Sequence, residues 1–291
     1  MACRLTFGGG ARGIERLAAA LVDEAFSPHR HDTYAIGLTL AGVQTFRYRG
    51  EQRFCLPGQW HVLHPDEVHD GAPGTGEGFG YRIFYLDPAL VQAALGGRPL
   101  PFVADPVLDA PPLGAALAHH LHDLDRPLDD LEAAEITALA ADLLVAHGGP
   151  ARGRVDLAAV TAVRELLVDD PTTRHRAAEL ERVSGLDRWS LARQFRLAFG
   201  TSPTRFRTAR QLDVARAALL DGSSPADAAL SAGFADQSHL TRMFGRAFGL
   251  PPAAWVRAVS ADRVEHGDDV VTAATVGDGV GHQRVAHVEQ W

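Results

Sequence analysis

The sequence predicts an α+β protein: a small barrel or sandwich of short strands, then an all-helical segment built around two helix-turn-helix units. Three observations carry this. Residues 27–86 fall into short alternating runs broken by turn residues at roughly ten-residue spacing, the pattern of a small all-β domain. From 155 to 261 everything reads as helix and short turn. Within that half the stretch 191–203 recurs 49 residues later as 240–252, with Leu191/Leu240, Arg193/Arg242, Phe195/Phe244, Ala198/Ala247, Phe199/Phe248, Gly200/Gly249 and Pro203/Pro252 identical. Each copy follows a short Ala-rich segment and a glycine turn at Gly185 or Gly233, so one helix-turn-helix is written twice. Two copies are too few to close a solenoid core. They suit a chain that presents equivalent helices to a repeating ligand, and DNA is the obvious one.

The composition bounds the alternatives. A chain of 291 residues has room for about two domains. Its two cysteines, Cys3 and Cys55, make neither a CxxC nor a zinc spacing, which fits a reducing cytoplasm. Residues 1–20 lack the apolar core of a signal peptide, and no run approaches the roughly 18 apolar residues of a membrane span, so no membrane partner is expected. The net charge of -8 argues against a nucleic-acid ligand only until it is divided. Residues 171–250 hold 12 Arg against 7 Asp and Glu, a local +5 that leaves -13 on the rest. A basic module on an acidic body still attracts phosphate locally.

Taken in order, Gly8, Gly9 and Gly10 have no strand-helix context for a nucleotide loop and read as a flexible terminus. Tyr34, Ile36, Leu38 and Leu40 alternate along one strand face, and Gly42 ends that run. A strand over 44–48 leads to a hairpin turn at 49–51, and 81–85 makes another strand, so 10–97 forms the first domain. The Pro-rich stretch 98–112 reads as a linker, followed by helices at about 112–125 and 128–147. The second aligns Leu128, Leu131, Ile136, Leu139, Leu143 and Leu144, a face for packing on the strands or for a homodimer. A glycine-rich break makes 98–154 a connector and 155–262 the helical domain. The remainder, 263–291, is expected to be loosely ordered.

In the first unit a helix over 173–183 and a turn at 184–186 lead to a second helix capped by Asp187. Leu191, Phe195 and Phe199 share its buried side; Arg188, Trp189, Ala192, Arg193 and Arg196 lie on the others. In the second unit Leu240, Met243, Phe244 and Phe248 are buried, which leaves Gln237, Ser238, His239, Thr241 and Arg242 available. Gln, Arg, Ser and His are residue types that read base edges in a major groove. Between the units, 203–220 begins with Pro203, ends before Gly222 and holds no breaker. A rod of about 25 Å brings within reach two grooves spaced by roughly 34 Å.

The run 233–252, with Gly233, Phe234, Asp236, Gln237, Ser238, Leu240, Phe244, Phe248, Gly249 and Pro252, and the helix with Arg210, Leu212, Ala215, Arg216, Leu219 and Leu220 resemble the AraC/XylS-type DNA-binding domain. The resemblance covers about 155–260. It implies double-stranded operator DNA as partner, with RNA polymerase as a further one. It also implies DNA-facing roles for Arg188, Trp189, Arg193, Gln237, Ser238, His239 and Arg242. One departure is Glu181, where the family has a small Ala packed against the first recognition helix; a buried carboxylate would be costly.

The pair His29 and His31 resembles the first histidine motif of the cupin barrels, and the spacing from Gly58 to His69 the second, with His64 and Asp66 in place of its Pro and Gly. The glutamate that completes a cupin metal site is absent, since its places are Ala35 and Ile36. The resemblance therefore implies a cupin-like sensor for a small-molecule effector, with His29, His31, Tyr34, Gln44, Phe46, Tyr48 and His69 as candidate contacts, along with Glu67 and Tyr85. No cofactor and no catalytic residue is expected; His29, His31 and His69 are the only candidates for a metal. The alternative reading is a metal-dependent cupin enzyme with a helical oligomerising tail.

Overall fold

The computed structural model describes residues 3–265 apart from 110 and 150–152. The strands β1 (Cys3–Phe7), β2 (Ile14–Leu21), β3 (Phe26–His29), β4 (Tyr34–Gly42), β5 (Gln44–Tyr48), β6 (Glu51–Cys55), β7 (Gln59–Leu63), β8 (His69–Pro73) and β9 (Phe79–Leu86) come first. Helix α1 (Pro88–Ala94) and the short strands β10 (Phe102–Val103) and β11 (Val107–Asp109) follow. Two antiparallel sheets result, in the orders β1-β2-β9-β4-β7-β11 and β3-β8-β5-β6. Among the described residues their hydrogen bonding does not close into a barrel; they face each other as an open, cupin-like sandwich.

Three expectations change here. The strand layer runs wider than 10–97, because β1 precedes it and β11 pairs with β7. The Pro-rich stretch is therefore not a free linker; its prolines are compatible with an edge strand. Gly8, Gly9 and Gly10 are packed, not loose. Gly9 donates to Leu124 O at 2.7 Å, and the buried guanidinium of Arg16 gathers the carbonyls of His120, Asp123, Leu124 and Arg126. The strand β4 is buried on both faces, Ala35 toward the sandwich interior and Tyr34 and Ile36 toward helices. A sheet covered on both sides loses simple alternation.

The covering helices are α1, α2 (Gly114–His119) and α3 (Asp130–His147). Helix α2 has six residues, well short of the expected 112–125, since the chain turns at 120–126 to meet Arg16. Helix α3 starts with a capping box between Asp129 and Glu132. It buries Ile136, Ala140, Ala141, Leu143 and Leu144 and leaves Leu131 78% exposed. The two-residue strand β12 (Gly148–Gly149) then pairs with β10.

The helical domain comprises α4 (Leu157–Asp169), α5 (Ala177–Ser184), α6 (Arg188–Phe199), α7 (Pro203–Leu220), α8 (Pro225–Ser231), α9 (Gln237–Phe248) and α10 (Pro252–Glu265). Helix α5 begins at Ala177, four residues later than expected, because Asp170 accepts from Thr173 N and His175 to hold the intervening chain in a turn. Helix α7 is the expected rod: Ser202 caps it, Pro203 occupies its first turn, and its 18 residues span about 27 Å. No helix among the described residues is long and apolar enough to cross a membrane. The tail expected at 263–291 lies outside the described residues beyond Glu265.

Among the described residues three apolar cores form. The outer face of the six-stranded sheet packs on α1, α2 and α3. The first helix-turn-helix has its own core of Val160, Val163, Leu167, Leu191, Phe195, Ala198, Phe199 and Phe206. The second shares one with the sandwich interior, where Leu5, Leu17, Phe46 and Tyr81 run on into Leu240, Phe244 and Trp255. Ion pairs cross the same boundary: Glu15 with Arg216, Asp32 with Arg210, Asp66 with Arg205, and Asp87 with Arg164.

Candidate DNA interface and effector site

Both recognition helices expose the residues expected to face DNA, except His239. In α6, the carboxylate of Asp187 accepts from Trp189 N and Ser190 N at 3.0 and 3.1 Å, and burial of Leu191, Phe195 and Phe199 fixes the helix rotation. That rotation leaves Arg188, Trp189, Ala192, Arg193 and Arg196 exposed, with Trp189 at 78%. In α9, Asp236 accepts from His239 N at 2.7 Å and Leu240 and Phe244 are buried. Gln237, Ser238 and Arg242 are exposed, whereas Met243 and Phe248 are only half-buried. His239 is half-buried too, its ring edge-on to Phe234 at 5.3 Å.

Glu181 resolves its expected conflict locally. Its Oε1 accepts from Arg188 N at 2.9 Å and from Arg188 Nε at 3.0 Å, with the side chain 26% exposed. The carboxylate thus serves an otherwise free amide at the start of α6. Arg188 is committed to Glu181, whereas Arg193 makes a long 3.5 Å contact with Ser190.

In the strand domain β3 and β8 bring the three histidines of the two motifs together. The ring centroids of His29 and His69 lie 4.3 Å apart, of His31 and His69 4.9 Å, and of His29 and His31 6.3 Å. Each Nδ1 bonds a backbone carbonyl: His29 to Ser27, His31 to Thr33 and His69 to Glu67. Carbonyls only accept, so each Nδ1 carries the proton and Nε2 keeps its lone pair. Burial lowers all three basicities, with His31 at about 3, so the cluster is neutral at pH 7.

The residues do not fit a resident cupin metal. Ala35 and Ile36 fill the glutamate positions and are fully buried. The imidazoles stack edge to face, and among the described residues no three His, Cys, Asp or Glu side chains are placed to hold an ion.

The other candidates divide. Phe46 and Tyr48 line the sandwich interior with His61, and Tyr85 meets His31 edge-on at 5.2 Å. Gln44 is buried but accepts from Thr39 Oγ1 at 3.1 Å. Tyr34 points the other way, its hydroxyl donating to Pro101 O at 3.4 Å beside His64. Glu67 sits at the surface, 3.7 Å from Arg49. Sequence reading missed His61, lodged between Phe46 and Tyr81 with its basicity lowered by burial to about 4. Its place in β7 was the available signal. The acidic residues that receive arginines of the helical domain gave none.

The comparisons agree with this two-domain architecture. A model described as the AraC-like ligand binding domain matches residues 12–141, and a helix-turn-helix domain model matches 180–258. An uncharacterized HTH-type transcriptional regulator of Bacillus subtilis, YbfI, is 26% identical over 226 residues, covering 75% of this chain and 82% of that protein. The solved structure of ToxT from Vibrio cholerae superposes with a TM-score of 0.60 at 11% identity, covering 89% of this chain and all of that one, which shows a common fold. An apo form of a ToxT variant gives 0.62 at 13% identity over 86% of this chain and 99% of the other. With a ligand-binding domain of that type joined to a duplicated helix-turn-helix, the chain has the domain make-up of an AraC-type DNA-binding transcription regulator.

Proposed function

We propose that the strand domain senses a small molecule and that Trp189, Arg193, Gln237, Ser238, His239 and Arg242 read adjacent major grooves, with Arg188 in a lesser role. One observation carries this: α6 and α9 expose equivalent polar faces at either end of the 18-residue α7. Solved forms of ToxT include one bound to an unsaturated fatty acid and one bound to a naphthalenyl butenoic acid. By analogy we assign effector contact to the interior of the strand domain at His29, His31, Phe46, Tyr48 and His69, with Tyr85 beside them and Gln44 as support. Tyr34 is set aside because it faces the helices. The strand domain binds its ligand without transforming it. Residues 98–154 connect it to the DNA reader at 155–262, and on promoter DNA the chain helps or hinders RNA polymerase.

A second copy fits the outer face of α3, where Leu131, Ala134, Ala138 and Val145 form an exposed stripe at helical spacing. Leu131→Asp should convert a dimer to monomer in sedimentation, with the circular dichroism spectrum unchanged; a monomeric parent would sink the dimer. The DNA reading is tested by selecting bound sequences from a random library and footprinting the winner. Two protected grooves on one face, about ten base pairs apart, are expected. A single protected groove, or no enriched sequence, overturns it.

A further inference from the structure

The repeat that defines the two helix-turn-helix units also defines two seats on the strand domain. Gly200 and Gly249 occupy the same place in the repeat, just past the ends of α6 and α9, with φ of 73° and 70°. A Cβ at Gly200 would stand 2.6 Å from Pro65 Cβ, and one at Gly249 2.9 Å from His29 Nδ1 and Phe26 Cβ. Both glycines therefore serve close approach as well as a left-handed turn. Backbone pairing repeats the symmetry. Leu197 O accepts from Leu100 N at 3.2 Å, and its repeat equivalent, Arg246 O, accepts from Arg30 N at 2.8 Å. Gly249 O also accepts from Ser27 N at 3.1 Å. A helix end leaves such carbonyls without partners of its own, and here Ser27 and Arg30 of the strand domain and Leu100 just after it supply them.

The two seats are joined. Asp66, at φ 67° in the turn beside Pro65, donates its backbone N–H to His31 O at 2.7 Å, which ties the Pro65 seat to the Phe26–His29 seat. Its carboxylate, 6% exposed, pairs with Arg205 at the start of α7 and lies 4.0 Å from Arg196 on α6 and 3.8 Å from Arg30. Helix α7 sets how far apart the two recognition helices stand. One rod cannot set their tilt or rotation as well; two seats on a common body can.

We propose that the strand domain grips both recognition helices at their C-terminal glycines and fixes their relative disposition on DNA, with Asp66 and Phe26 as positioning residues that touch no base. This goes beyond the DNA-reading assignment and relies on it.

The test uses the full chain. The selected operator is rebuilt with one or two base pairs added or removed between its half-sites, and binding is compared with that to DNA carrying either half-site alone. Each added pair turns the second half-site by roughly a tenth of a helical turn. The parent should prefer its own spacing by about tenfold, while Asp66→Asn and Phe26→Ala should each cut the preference to about twofold. Affinity for single half-sites should stay within about twofold of the parent. Arg205→Gln removes the partner of Asp66 from the other domain and decides the matter should either variant fail to fold. A spacing profile identical to the parent's in the folded variants overturns the proposal, as does a parent with no spacing preference. Failure of the original selection to enrich any sequence would instead overturn the DNA-reading assignment.

Discussion

The two helix-turn-helix units are near copies in sequence and unlike in support. The first closes its own core around Phe195, Phe199 and Phe206, with α4 as a lid from within the helical domain. The second closes no separate core. Leu240, Phe244 and Trp255 merge with the sandwich interior, and Phe7 of β1 meets Trp255 at 5.8 Å. The same motif can thus be a self-supporting module in one place and the lid of another domain's core in the other. Burying apolar area does not depend on which domain supplies the partner surface. The unit with shared support is the one whose fate follows the strand domain.

Truncating the equivalent phenylalanines tests that contrast with the largest effect. Phe195 and Phe244 are both fully buried, so either change to Ala should cost about 3–5 kcal/mol. The consequences should differ in reach. Phe244→Ala should raise hydrogen exchange in β1 and β2 along with α9, whereas Phe195→Ala should raise it in α4 and α6 and spare the strands. Equal spreading from both sites would show that the shared core has no mechanical meaning.

Much of this organisation was legible in the chain because it rests on local signals. The repeat gave both units, Asp187 gave the start of α6, and Pro203 gave the start of the rod. The exposed faces of α6 and α9 follow from periodicity alone. What did not show was whatever depends on distant partners. The extent of α2 is set by Arg16, a residue 98 positions before its start, whose guanidinium claims the carbonyls of the 120–126 turn. Tyr34 has the composition of a pocket residue, yet the strand is covered on both sides and pleating sends it to the helices. Glu15, Asp32, Asp66 and Asp87 look like surface acids until the helical domain brings arginines to them.

At the DNA face the units differ again, by a smaller amount. Arg242 is exposed and free to reach a base edge, so Arg242→Ala should cost about 1–3 kcal/mol and relax preference at one operator position. Arg188 is already held by Glu181, and Arg188→Ala should cost about 0.5 kcal/mol or less, since competing for a paired guanidinium offsets most of the gain. Titrating variant proteins against single-base operator variants separates the two. An Arg188 effect as large as that of Arg242 would mean that DNA displaces Glu181 and that the first unit reads bases through a broken pair.

Acid offers the finest probe, because the strand domain holds buried neutral histidines against which the second unit leans. Burial keeps His31 at about 3 and His61 and His64 at about 4, all below an unfolded value near 6.5. A depressed histidine contributes stability that is complete above pH 6.5 and drains away as pH falls toward the folded value, because the unfolded chain takes up the proton first. Each such imidazole should therefore weaken the fold by about 1.4 kcal/mol per pH unit between roughly pH 6 and 4. His61→Phe should flatten that slope by one proton, read from urea midpoints at pH 7.5, 6 and 5. His29 stands against Gly249 in the same cluster, so the loss reaches α9 directly. Acid should then release α9 together with β3 and β8 while α6 stays protected, and simultaneous exposure of α6 and α9 would erase the difference between the two units.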